Sequence, residues 1–204
     1  MTFTPNVRSC DILVVGSGSA GAMAAIKAKL SGANVLVATK GPYPSGNSTK
    51  ALAGYGAAFG HSDSRDNPEI HFGDVVRNGI GLCNEKMVRT WTTTICDLTE
   101  EMRSWGLDLI RDDEKYHQRP WEGHTYPRMV HHHWATGKYL MKCLSEKSKD
   151  LELDVLSHTI IGGIFKDGDT VTGAWGLNYR SGELYIIQAK AVIMTTGGYG
   201  AMYP

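Results

Sequence analysis

The sequence predicts an α/β fold that opens with a strand–helix–strand unit, and three observations carry this. Asp11 to Val15 is a short apolar run ended by Gly16, Gly21 to Leu30 reads as a helix closed by Gly32, and Val35 to Ala38 is a second apolar run. Unbroken apolar runs of this length suit strands buried on both faces of a parallel sheet. The helix places Met23, Ile26 and Leu30 on one stripe, with small Ala20, Ala24 and Ala28 around it.

From Lys40 to His61 the chain is rich in Gly, Ser, Ala and Pro, longer than a plain connection inside a compact domain needs, and is read as a functional loop. Asn67-Pro68-Glu69 has the form of a helix start, with Asn as cap and Pro in the first turn. A long helix is expected from Asn84 to Trp105, where Val88, Trp91, Ile95, Leu98, Met102 and Trp105 recur every three or four residues. Gly106 stops it. That spacing assigns Trp91 and Trp105 to core packing. Residues 107–134 have little period, and Thr136 to Lys149 is expected to be helical. Turn signals at Lys166-Asp167-Gly168-Asp169 and Arg180-Ser181-Gly182-Glu183 then predict a β-meander through about Gln188. A separate buried strand, Ala191 to Thr195, follows and ends at Thr196-Gly197-Gly198.

The 204 residues carry 21 Lys plus Arg and 21 Asp plus Glu, so the formal net charge is zero. No overall field draws in a polyanion, which argues against nucleic acid and anionic membranes as partners. The mean hydropathy of −0.24 describes a soluble globular chain, and no stretch approaches the roughly 18 apolar residues of a spanning helix. Direct membrane insertion is not expected. Cys10, Cys83, Cys96 and Cys143 are far apart, without a CxxC pair, so zinc and iron–sulfur ligation are not expected and a reduced, cytoplasmic chain is. The N-terminus has no apolar segment of the signal-peptide kind. Glycine is the composition's outlier: 24 residues, about 12% against a usual share of about 7%, with no repeat to explain them.

Three of those glycines fall in Gly16-Ser17-Gly18-Ser19-Ala20-Gly21, a GxGxxG pattern between an expected strand and an expected helix. In that context the first glycine permits the tight turn and the second lets backbone approach a pyrophosphate. The third allows close helix–strand packing, and the helix N-terminus supplies unpaired N–H groups. A glycine-rich turn without a ligand is the plainer alternative. The acid expected about 20 residues later to hold ribose hydroxyls is absent, because the second strand ends Ala38-Thr39-Lys40.

A Thr-Lys strand end followed by Gly-Pro-Tyr-Pro-Ser-Gly-Asn-Ser-Thr resembles the flavoprotein subunits of succinate dehydrogenase and fumarate reductase, together with L-aspartate oxidase. Three later stretches share the resemblance: Arg128 leading to Trp134-Ala135-Thr136-Gly137, the meander around Asp167-Gly168-Asp169 and Gly173, and Ala191 to Gly200 with Tyr203-Pro204 continuing it. It covers Asp11 to Pro204. The resemblance implies a Rossmann-like FAD-binding fold with a parallel sheet, helices and an inserted β-meander. Residues 1–204 would be one FAD-binding domain, the N-terminal part of a longer flavoprotein without its capping and C-terminal segments. Gly16, Ser17, Gly18, Ser19, Ala20 and Gly21 would bind the FAD pyrophosphate, and Thr39 and Lys40 the adenosine side. Gly46, Asn47, Ser48, Thr49, Ala51, Ala53 and Gly54 would run along the ribityl chain and flavin. Leu156 would offer backbone to the adenine, and Thr196 and Gly197 would pass close to the cofactor.

Two departures stand out. Many members attach FAD covalently through a His, and Ser48 occupies the corresponding place here, with no His between Lys40 and Gly60; non-covalent FAD is expected. The Asp of the Asp-x-Thr-Gly pattern is Trp134. Glu122-Gly123-His124 resembles a segment of L-aspartate oxidase whose glutamate lies near the substrate amino group, and an exposed loop carboxylate is the alternative. His131-His132-His133 lie on alternating faces of an extended chain and are not read as a metal site. The resemblance implies hydride transfer between a dicarboxylate substrate and FAD, and it names no catalytic residue in this chain. It also implies an iron–sulfur partner, through which membrane association would come. L-aspartate oxidase activity and a flavin-binding module without catalysis are the alternatives.

Overall fold

The computed structural model describes residues 4–200; Tyr203-Pro204 lie outside them. Along the chain run β1 (Asn6–Val15), α1 (Ser19–Leu30), β2 (Val35–Ala38), a single 3-10 turn (Asn47–Lys50), β3 (Tyr55–Gly56), α2 (Pro68–Asn78) and α3 (Glu85–Ser104). Next come β4 (Arg111–Asp112), β5 (Lys115–Tyr116), β6 (Met129–Val130), α4 (Thr136–Asp150), β7 (Asp154–Leu156), β8 (Thr159–Asp167), β9 (Thr170–Asn178) and β10 (Leu184–Met194). The chain forms two compact units, one made of residues up to Thr49 and from Leu144 onward, the other of Lys50–Cys143.

The first unit is built on a six-stranded sheet in the order β7-β2-β1-β10-β9-β8. β7, β2, β1 and β10 are parallel, and β9 and β8 extend the sheet through two successive antiparallel pairings. Alternate residues of β1 feed opposite faces: Leu13 and Val15 pack with Leu36, Leu156 and Ile187, while Val14 packs with Val35, Val37 and the alanines of α1. Burial on both faces is why these strands read as continuous apolar runs.

Three expectations for the first unit are corrected. β1 begins at Asn6 rather than Asp11, because Asn6 to Cys10 pair with Tyr185 to Ala189 of β10. The last arm of the meander and the strand from Ala191 are one strand, β10, which pairs β9 at its start and β1 along its length. In α1 the expected Leu30 is 49% exposed, and the sheet-facing side is Gly21, Ala22, Ala25, Ile26 and Ala28. Small residues let this helix lie close on the strands, so bulk at Leu30 is carried away from the sheet.

Asparagine caps start both long helices of the second unit. Asn67 Oδ1 accepts from the amides of Glu69 (3.0 Å) and Ile70 (3.1 Å), and Asn84 Oδ1 from Met87 (3.2 Å). The buried line of α3 is Val88, Thr92, Thr99 and Met102, while Trp91 is 37% exposed, which corrects the expected tryptophan stripe. Threonine is tolerated there because its hydroxyl is satisfied locally: Thr99 donates to the Ile95 carbonyl (2.7 Å) and meets the Tyr55 hydroxyl (3.0 Å). Within the expected irregular stretch, β4 and β5 form a hairpin and β6 pairs antiparallel with β3.

Gly173, at φ +150°, has no room for a side chain, since a Cβ would overlap the Ile187 carbonyl oxygen of the neighbouring strand. Gly173→Ala is expected to lower unfolding free energy by about 2 kcal/mol or more, read by chemical denaturation.

Candidate nucleotide-binding site

The turn from β1 into α1 is shaped by its glycines in three different ways. At Gly16 (φ +110°) a Cβ would collide with the Thr195 carbonyl, and at Gly21 with the Gly16 carbonyl. Both collisions are with backbone, so these two glycines are required by the fold itself. Gly18 differs: its φ is −69°, and a Cβ there would meet the Ser48 hydroxyl at an ordinary 3.4 Å. The protein alone does not demand glycine at Gly18. Gly18 is also the N-cap of α1, it offers no side-chain cap, and the first turn carries no acid. An uncharged helix N-terminus whose cap residue carries no side chain, behind a bare backbone, is the arrangement that accepts a pyrophosphate.

Hydroxyls lace the following loop to this turn. Ser17 Oγ lies 2.7 Å from Thr39 Oγ1 and 3.1 Å from Ser45 Oγ, and the Ser45 amide donates to Ser17 Oγ (3.1 Å). Ser48 Oγ accepts from the Ser19 amide (3.1 Å) and donates to Ser19 Oγ (3.0 Å). Gly46, Asn47 and Thr49 stand beside it, with Thr49 Oγ1 donating to the Gly46 carbonyl (2.8 Å). Ser45 was not singled out from sequence, although a serine flanked by Pro44 and Gly46 in a loop that must fold back is a local signal.

At the strand ends, Thr39 is buried with its hydroxyl engaged by Ser17, and Lys40 is exposed. The Leu156 carbonyl accepts the Thr39 amide (3.0 Å). Thr196 and Gly197 are exposed, and Gly197 (φ +73°) faces open space where a Cβ would go. Sequence reasoning also missed Thr195: its hydroxyl (2.8 Å) and amide (2.9 Å) both donate to the Val15 carbonyl.

In the second unit, Ala51, Leu52 and Ala53 are held by the start of α4. The Gly137 amide donates to the Ala51 carbonyl (2.8 Å), the Thr136 amide to Leu52 (3.3 Å) and the Thr136 hydroxyl to Ala53 (3.3 Å). The Thr-Gly pair thus spends the helix N-terminus on the loop. Trp134, in place of the Asp, is 61% exposed with the Arg119 guanidinium 5.5 Å from its ring centre. Gly54 (φ +152°) is pressed against the Val130 carbonyl. Ala53, Arg119, Pro120, Trp121, Met129 and Trp134 line an apolar recess of about 210 Å³.

Behind these segments lies a buried ionic triad that sequence reasoning also missed. Arg128, with no exposed side-chain surface, donates through Nε (3.1 Å) and Nη2 (2.8 Å) to both oxygens of Asp66, and Nη2 lies 2.9 Å from Asp74 Oδ2. Asp74 further accepts from the Thr125 amide (2.7 Å), the Thr125 hydroxyl (2.7 Å) and Arg77. Burial pushes the Asp74 carboxyl up, but these donors and Arg128 outweigh it and hold the group at about 2. Burial dominates at Asp66 and raises it, against the pull of Arg128. His71, fully buried and edge-on to Trp91 (4.9 Å between ring centres), has no hydrogen-bond partner on either ring nitrogen among the described residues. Burial, then the nearby Arg128 charge, lowers it to about 4.

Glu122 is exposed, as its loop alternative holds. Of the three consecutive histidines, His131 is buried with Nε2 2.9 Å from His117 Nδ1, His132 stacks on Tyr139 (3.5 Å), and His133 is exposed.

Because His71 stays neutral in the folded state down to about pH 4, the unfolded chain binds more protons between about pH 4 and 6.5. Stability is therefore expected to fall as pH drops through that window, by about 2 kcal/mol from this residue between pH 7.5 and pH 5. Melting curves at pH 5 and pH 7.5 measure it, and His71→Leu is expected to reduce the difference.

The sequence profile of the FAD binding domain family matches residues 11–204. One subunit of the fumarate reductase (CoM/CoB) of Methanothermobacter marburgensis is 30% identical over 197 residues, covering 96% of this chain and 36% of the relative. L-aspartate oxidase of Vibrio cholerae is 32% identical over 216 residues, covering 96% and 38%. Among solved structures, Mycobacterium smegmatis Sdh1 in complex with UQ1 superposes with a TM-score of 0.90 at 31% identity, covering 96% of this chain and 35% of that one. The FrdA chain of E. coli quinol fumarate reductase gives 0.90 at 27% identity, covering 97% and 34%. The chain thus spans little more than a third of the length of these relatives. With that match running through the glycine turn, the loop and the last strand, the chain belongs to the FAD binding domain family and carries the FAD-binding portion of a flavoprotein of the succinate dehydrogenase and fumarate reductase type.

Proposed function

We propose that this chain binds FAD non-covalently for oxidoreduction of a dicarboxylate, with succinate or fumarate as the leading substrates. The observation that carries the reading is Gly18, a glycine the fold does not require, set as the side-chain-free N-cap of α1. Gly16 to Gly21 hold the pyrophosphate, and Thr39 and Lys40 stand on the adenosine side with the Leu156 backbone. Gly46 to Thr49, Ala51, Ala53, Gly54, Thr196 and Gly197 follow the rest of the cofactor. When bound, FAD supplies the two-electron chemistry that interconverts a saturated and an unsaturated dicarboxylate.

The chain's own residues prepare for this in two ways. The Ser17, Thr39 and Ser45 hydroxyls consume one another's donors and so fix the loop without placing a charge near a phosphate. Arg119, with no carboxylate at salt-bridge distance among the described residues, puts a cation in the apolar recess beside Ala53, where it suits one carboxylate of a substrate. Ser48 supports non-covalent binding, since a hydroxyl engaged with Ser19 stands where covalent members carry a His. An iron–sulfur protein as electron partner belongs to the same proposal; among the described residues no helix is long and apolar enough to cross a membrane. The L-aspartate oxidase reading is favoured by the Glu122-Gly123-His124 segment, and turnover of aspartate against succinate and fumarate separates the two.

Gly18→Ala is expected to leave the melting temperature of the cofactor-free protein within a degree or two, yet weaken FAD binding by about tenfold or more, as measured by calorimetric titration. Unchanged affinity would remove the pyrophosphate assignment. Acid precipitation of the yellow protein is expected to release all the flavin into the supernatant; colour retained in the pellet would mean a covalent link.

A further inference from the structure

The strand pair β3–β6 is only two residues on each side, Tyr55 against Val130 and Gly56 against Met129. A pair so short specifies its own register weakly, and a slip of one residue would send every side chain to the other face. Yet Gly54 tolerates no error in it, since its backbone lies directly against the Val130 carbonyl. On its other edge Met129 exchanges two backbone bonds with Arg119 (3.0 and 3.1 Å), an equally short pairing, so a side-chain anchor beyond the ladder is what would fix residues 128–130.

Arg128 immediately precedes β6, and its carbonyl accepts the Ala57 amide (2.9 Å), continuing the ladder by one bond. Its side chain is locked at three points to Asp66, just before α2, and Asp74, within α2. Asp74 also takes the Thr125 amide and hydroxyl, so both ends of the segment 125–128 are tied to one helix. A fully buried ion triad contributes little net stability over an apolar replacement, and its best-attested use is to select one arrangement among several. The planar fork of arginine fixes both distance and angle.

We propose that the Asp66–Arg128–Asp74 triad is a positioning device for the flavin end of the cofactor: it sets the register of β6, β6 sets Gly54, and Gly54 sets the path of residues 51–54. This rests on the FAD reading above. Arg128 is a positioning residue, acting only through this backbone. The triad, β6 and residues 51–54 all lie in the second unit, whereas the glycine turn and Thr39 belong to the first.

The experiment titrates the 204-residue chain with ADP and with FAD by calorimetry and records the visible spectrum of bound flavin. It compares the unsubstituted protein with Arg128→Lys and with Thr125→Val, the latter removing one hydrogen bond to Asp74 while leaving all three ions. In Arg128→Lys, FAD affinity is expected to fall about tenfold, ADP affinity to change less than about twofold, and the flavin band to shift. Thr125→Val is expected to show the same pattern with a smaller loss of FAD affinity, about threefold, and carries the test if Arg128→Lys does not fold. Parallel loss of ADP and FAD, or FAD affinity and spectrum unchanged in a folded variant, overturns the positioning role alone. Unsubstituted protein that takes up neither ligand overturns the FAD reading, and this inference with it.

Discussion

The first unit depends on the parallel pairing of β1 with β10. Val15 and Met194 are register partners, and one residue beyond them Thr195 sends both its amide and its hydroxyl to the Val15 carbonyl across 180 positions of sequence. That clamp places the Thr195 carbonyl against Gly16, which forces the chain to leave the strand with positive φ and turn into α1. Gly21 then closes over the Gly16 carbonyl. The turn, the direction of the helix and the hydroxyl-laced loop behind Ser17 all inherit their positions from a contact between two strand ends.

Much of this was legible. The βαβ start, the Asn67 cap and the hairpin turns rest on local chemistry, and local chemistry is what a sequence displays. Misreadings came where a distant partner decides. Nothing within Asn6 to Cys10 announces a strand; those residues extend because β10 runs beside them. Leu30 satisfies a helical period but points away from the buried side, because α1 needs small residues to approach the sheet, and Trp91 stays partly exposed against His71 while α3 buries threonines whose hydroxyls are answered within the helix. Of the cofactor cradle, the glycines could be read directly, whereas Thr195 and Ser45 act through partners that only folding supplies.

The second unit shows the opposite economy. Its strands are minimal, and its interior is unusually polar: Asp66, His71, Asp74, Thr92, Thr99, Gln118, Arg128 and His131 are all buried. Polar interiors of this kind hold shape by directed bonds. Gln118 illustrates it, donating to the Ala57 carbonyl (2.7 Å) while accepting from the amides of His61 (2.9 Å) and Ser62 (3.2 Å). Such networks leave almost no trace in hydrophobic periodicity, which explains why residues 107–134 read as featureless and why the ionic triad went unseen.

The pairing of β1 with β10 also bears on how the molecule comes into being. During synthesis β1 and β2 emerge early, but the other edge of β1 stays open until residues near Met194 have left the ribosome, after the whole second unit has been made. For that interval a flat apolar edge, Ile12 to Val15, is exposed to any other extended chain, the circumstance in which nascent proteins mispair or aggregate. At a synthesis rate of roughly 5–20 residues per second, the wait is on the order of 10–30 seconds. A chain of this architecture is a natural client for chaperones that shield nascent strands.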